Sequence, residues 1–73
     1  MNKYYITFGQ VHVHSVNGKT FDKDCLAEIE AETNEEAHKI AMEVFNERFH
    51  ECHNAERLNG ILGYYPRGVI PLN

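Results

Sequence analysis

Cysteine is scarce in this chain. Two in 73 residues, Cys25 and Cys52, are too few for a disulfide scaffold. Long apolar runs are missing too: nothing approaches the roughly 20 residues that span a bilayer, so no membrane partner is expected. No basic start followed by an apolar stretch marks a signal peptide. These lacks point to a cytoplasmic setting with both thiols reduced. Basic residues are few, 7 Lys and Arg against 11 Asp and Glu, and they form no stripe. Direct nucleic-acid binding through phosphate contacts is therefore not expected. Repeats, linkers and low-complexity tracts are also lacking, which leaves one compact domain over residues 1–73.

Histidine and aromatic residues are plentiful for so short a chain. There are five His, four Tyr and four Phe, a folded rather than a disordered composition. A domain of this size buries only about 60% of the surface its unfolded chain exposes, so its core must come from one helix on a small sheet, or from a dimer. Tyr4, Ile6 and Phe8 alternate with Lys3, Tyr5 and Thr7, the signature of a strand. After Gly9-Gln10 the apolar phase shifts to Val11 and Val13, and a bulge there would restore one apolar face. Val11 and Val13 would then point inward, and His12 and His14 away from the main core. Asn17-Gly18 is a strong hairpin signal, and residues 15–24 read as a connection holding a turn or as an interrupted hairpin.

Cys25, Ala27, Ile29 and Ala31 alternate inward on a second strand. Thr33 with Glu36 fits a capping box that opens a helix. Ala37, Ile40, Ala41, Val44, Phe45 and Phe49 form its apolar stripe, and the helix is expected to run to about residues 49–52. Pro66-Arg67-Gly68 makes a turn, and Pro71 limits Val69-Ile70 to a sheet edge. The expected fold is α+β: a three-stranded, mainly antiparallel sheet in β-β-α-β order, with one amphipathic helix packed on one face.

Two surfaces follow as candidate partner-binding sites. The first is the sheet face that a single helix leaves bare, carrying Tyr5, His12, His14 and Arg67 beside Tyr64 or Tyr65. Tyr, Arg and His together have the composition of a binding surface, and an uncovered face of this kind needs a partner. The second is the acidic helix face with Glu36, Glu43 and Glu47. Glu43–Glu47 is a like-charge pair one turn apart, which costs a few tenths of a kcal/mol, and the resulting field would steer a basic partner. The metal alternative rests on His12 and His14, which stand side by side on a strand, with His50 and His53 as further ligands for zinc or another transition metal. With His50 and His53 on the helix, the two pairs lie on opposite sides. They would meet only across a homodimer interface or if the helix stopped near Phe49. Neither cysteine has a cationic environment that would mark a reactive thiolate, and no constellation for catalysis emerges, so the chain is expected not to be an enzyme.

The segment Lys3-Tyr4-Tyr5-Ile6-Thr7-Phe8-Gly9-Gln10, with His12, His14, Asp22-Lys23-Asp24-Cys25 and Pro66-Arg67-Gly68, resembles a group of small orphan proteins encoded by bacteriophages and prophages. The resemblance covers mainly the first 31 residues and the Pro-Arg-Gly turn. It carries over no functional residue. It implies a bacterial or phage-infected cell and a small non-catalytic binding protein that engages a host or phage protein, such as a host defence or nucleic-acid enzyme. The alternative is a metal- or small-ligand-binding domain built on the His pairs.

Overall fold

The alternating apolar residues of the first two long strands build one continuous core face. In the computed structural model, which describes residues 2–9, 13–16, 18–46 and 48–72, Tyr4, Ile6 and Phe8 pack with Cys25, Ala27, Ile29 and Ala31. The strands are β1 (Asn2–Thr7), β2 (His14–Val16), β3 (Lys19–Phe21), β4 (Cys25–Ala31), β5 (Glu51–Asn54) and β6 (Gly68–Pro71). The helices are α1 (Asn34–Phe45) and the single turn α2 (Leu58–Ile61), which lies between 3₁₀ turns at Ala55–Arg57 and Leu62–Tyr64. The main sheet has the order β5-β1-β4-β6, and β2 and β3 form a separate two-stranded ribbon.

The strand directions determine the rest of the topology. β1 is antiparallel to both β4 and β5, so β4 and β5 run the same way, and β6 is parallel to β4. Two same-direction connections result. The first, from β4 to β5, runs through α1 and lays Ala37, Ala41 and Phe45 on the core face. The second leaves one edge of the sheet at Asn54 and re-enters at the other edge at Gly68, carrying residues 55–67 across the opposite face. On that face Leu26, Thr7 and Tyr5 are 0%, 2% and 4% exposed, and Leu58, Ile61 and Tyr65 of the crossing segment are half-buried.

α1 starts as its sequence dictates. The Thr33 hydroxyl accepts the Glu36 backbone N–H at 3.1 Å, and Glu35 and Glu36 lie in the first turn, where the helix dipole favours negative charge. It ends earlier than the apolar stripe suggests. Asn46 takes a left-handed conformation, φ 52°, and its N–H closes on the Met42 carbonyl, a C-terminal cap that Asn tolerates better than most residues. Phe45 then caps the core from the last helical position. Its ring meets Phe8 edge-on with centroids 4.9 Å apart and Phe21 at 5.6 Å.

The α+β class is as expected, and several details differ. The main sheet has four strands rather than three and is mixed, because β5 takes the free edge of β1 and leaves β6 the outer edge of β4. A second short helix is present, since the crossing segment folds into helical turns against the sheet. Residues 50–53, expected at the end of α1, lie at and in β5, because Asn46 terminates the helix. β2 and β3 pair antiparallel as a short ribbon, with Val16 opposite Lys19 and Gly18 at φ 78°, while Asn17 lies outside the described residues. Val13 is 67% exposed rather than inward, as β1 ends at Thr7 and no longer dictates its phase. Val11 and the bulge position Gln10 lie outside the described residues.

Substitutions at two positions test this packing by urea denaturation. Phe45→Ala removes the ring on which Phe8 and Phe21 converge and should destabilise by about 3–5 kcal/mol, enough to unfold much of a domain this small. Asn46→Ala should cost about 1 kcal/mol, since a Cβ-bearing side chain without a local hydrogen bond is strained at positive φ. Asn46→Gly should be neutral or stabilising.

Candidate functional site

Four chain connections converge at one end of the main sheet. They are the exit of β1 at Phe8-Gly9, the turn from β3 into β4, the approach to β5, and the turn from the crossing segment into β6. Between them lies a cleft of about 490 Å³ lined by Phe8, Gly9, Lys23, Asp24, His50, Tyr64 and Tyr65. Phe8 forms an apolar floor at 4% exposure, and Tyr64 stands almost free at 79%. Function concentrates on loops that a rigid scaffold holds, and here the scaffold is explicit.

The β3–β4 turn is built by its own side chains. Asp24 N–H donates to Asp22 Oδ1 at 3.0 Å, and Asp22 N–H reaches Cys25 Sγ at 3.3 Å. The turn before β6 docks on it: Arg67 N–H donates to the Asp24 carbonyl at 2.8 Å, and the Arg67 guanidinium lies 3.1 Å from Asp22 Oδ2. His50 is held by its N–H on the Thr7 carbonyl at 2.8 Å, and the buried Thr7 hydroxyl accepts the Glu51 N–H at 3.1 Å. Lys23 lies 3.5 Å from Asp24, so these two charges are matched locally, and His50 lies 3.8 Å from Glu51. Three of the seven residues that line the cleft, Phe8, Tyr64 and Tyr65, contribute aromatic ring surface.

The sequence-derived candidates are dispersed. Tyr5 is buried on the covered sheet face, beside His53 on β5, and does not form an open patch. His14 lies not on that face but over the end of α1, half-buried, with its ring 5.6 Å from Phe8 and 5.0 Å from Phe45. Its Nε2 is 2.7 Å from the Arg48 carbonyl oxygen. A carbonyl can only accept, so this nitrogen carries the hydrogen and offers no lone pair to a metal. His12 lies outside the described residues, as does Glu47. Arg67 is committed to Asp22. Glu36 and Glu43 are exposed on α1, with the exposed Lys39 between them.

His50 and His53 leave the helix, as the metal alternative required, yet His53 turns to Glu51, with Nε2 3.0 Å from Oε2. Among the described residues no group of three or more His, Cys, Asp or Glu side chains is placed to hold a metal ion. Sequence reasoning missed Gly9, Lys23, Asp24 and His50 as neighbours. Each lies in a turn-rich stretch, but only the sheet order brings those stretches to one end. One of Tyr64 and Tyr65 is expected outward beside Tyr5; Tyr64 is the exposed one and Tyr65 is half-buried, but β4 separates β1 from the C-terminal strand.

Comparison with family models, with curated proteins and with solved structures finds no match for the chain.

The burial of Tyr5 has a pH consequence. Desolvation, then the nearby Glu28 charge, push its phenol above the ordinary value, while Lys3 pulls the other way. The folded chain thus holds this proton more tightly than the unfolded chain. The contribution is complete below the unfolded value of about 10 and is lost as pH rises through the folded one. Tyr5→Phe should remove this loss: urea midpoints of the wild type should fall more steeply above pH 10 than those of the variant.

Proposed function

We propose that this chain is a small non-catalytic binding protein that engages another protein through the aromatic cleft at the loop end of its sheet. One observation carries the reading: Tyr64, the most exposed large hydrophobic side chain described, stands at the rim of a cleft floored by Phe8 and flanked by Tyr65 and His50. Tyr is enriched among the few residues that dominate interface energetics, because it offers large rigid area at low entropic cost. An exposed ring beside a concavity gives a partner both a knob and a hole.

The acidic surface with Glu36 and Glu43 serves a different purpose in this reading. Rim charges change association rate and salt dependence more than residence time. Such a face suits a partner with a basic site, including a nucleic-acid enzyme. The resemblance of the Lys3–Gln10 segment to phage and prophage proteins supports a bacterial host or phage partner in the cytoplasm.

The test compares the wild-type chain with Tyr64→Ala and with Glu36→Lys/Glu43→Lys. Proteins from a bacterial lysate retained by the immobilised wild type are identified, and their affinities are then measured with purified material. Tyr64→Ala should weaken binding by about 30-fold, roughly 2 kcal/mol, with an unchanged circular dichroism spectrum. The charge-reversed variant should mainly slow association at low salt. Full affinity in Tyr64→Ala, with binding abolished in the charge-reversed variant, would move the interface to the helix.

A further inference from the structure

The segment that crosses the sheet between β5 and β6 is fastened at both ends and poorly fastened between them. At its start the Asn54 side chain accepts the Arg57 N–H at 3.3 Å. At its end the turn is closed by Gly68 N–H on the Tyr65 carbonyl at 2.9 Å and docked through Arg67 on Asp24 and Asp22. Between these points α2 and its flanking 3₁₀ turns contain no buried residue. α2 and the turn after it also have no side-chain cap. Yet this span lies over a sheet face where Tyr5, Thr7 and Leu26 are almost inaccessible.

Two glycines stand within the span, Gly60 in α2 and Gly63 in the following turn. Neither has a positive φ, and a Cβ at either would meet nothing within 4 Å. Neither backbone conformation nor close packing calls for glycine here. What glycine does do at a helical position is loosen it, through the backbone freedom released when the turn opens.

We infer that residues 55–64 form a strap that opens as a unit while the sheet, α1 and the β2–β3 ribbon remain folded, hinging at Asn54 and at the Tyr65–Gly68 turn. Opening uncovers Tyr5 and Leu26 and carries Tyr64 out of the cleft wall, whereas Phe8, Gly9, Lys23, Asp24 and His50 stay with the frame. Local openings of this kind involve units with few buried contacts, and the strap is such a unit. This is a property of the free chain and stands whether or not the cleft binds a protein.

Tyr4 and Tyr5 provide the assay. They are adjacent in sequence and both are buried, but Tyr4 belongs to the α1-covered core and Tyr5 to the strap-covered face. Nitration by tetranitromethane, localised by fragment mass spectrometry, should reach Tyr5 at a rate insensitive to low urea and Tyr4 only by global unfolding. Gly60→Ala and Gly63→Ala should each slow Tyr5 nitration about two- to five-fold, leaving Tyr4 unaffected in rank. Hydrogen exchange on the unmodified chain gives an independent reading: amides of 58–63 should be roughly 100-fold or more less protected than those of Ile6 and Ala27. Tyr5 nitration that follows the same urea dependence as Tyr4, or equal protection of strap and sheet, would overturn the inference.

Discussion

The rest of the structure depends on the position of Phe45. It is the last helical residue, and its ring meets Phe8 just after β1, Phe21 from β3 and His14 from β2. One side chain thus gathers the helix end, the sheet and the ribbon into a single apolar cluster. A domain this small has no second core to fall back on. The left-handed Asn46 that follows stops the helix, its N–H closing on the Met42 carbonyl. That stop releases the chain to form β5, and β5 places the crossing segment on the opposite face. Cover on both faces of the sheet follows from where α1 ends.

Part of this was legible in the residues. The Thr33 cap, the stripe Ala37–Ala41–Phe45 and the inward series Cys25, Ala27, Ile29 and Ala31 are local patterns, and each matches what is observed. The helix terminus was not legible, because Phe49 continues the stripe in phase and Asn46 has no intrinsic need to be left-handed. β5 was not legible either. Glu51-Cys52-His53-Asn54 has little β-propensity and becomes a strand because β1 offers a free edge, a tertiary effect that overrides local preference. The direction of β6 depends on β5 in turn. Tyr5, expected on a bare sheet face with His12, His14 and Arg67, is buried for the same reason: covering that face required a crossover whose path only the strand order determines.

The buried polar groups show what the covered face demands. Thr7, 2% exposed, has its hydroxyl satisfied by the Glu51 backbone. Among the described residues no buried side-chain polar atom is left unpaired. His53 has a carboxylate partner, and Lys3 lies 3.8 Å from Glu28. This is a face made to be closed over, since unpaired polar groups under a permanent cover would be costly. It is also a polar enough face to be wetted at modest cost, unlike the Phe8–Phe21–Phe45 side. The two faces therefore differ in kind: one is sealed by aromatic packing, the other by a strap over groups that water could also serve.

That difference bears on how a chain this small would accommodate the proposed binding site. A concavity needs walls, and walls in a marginal core cost stability. Here the frame of the cleft comes from elements already fixed by the Phe45 cluster and the Asp22–Arg67 dock, so a rigid half exists without further burial. The other half, Tyr64 and Tyr65, comes from the end of the crossing segment, where ring area can be exposed without opening the core. A partner that settles against Tyr64 must order the strap end it sits on, and the entropy of that ordering is charged against affinity. The cost falls on residues 55–64 alone, because the frame is already ordered. On the proposed binding reading, a site divided between a fixed floor and an adjustable wall would fit surfaces of differing shape, with its specificity left to Phe8, His50 and the paired Lys23 and Asp24.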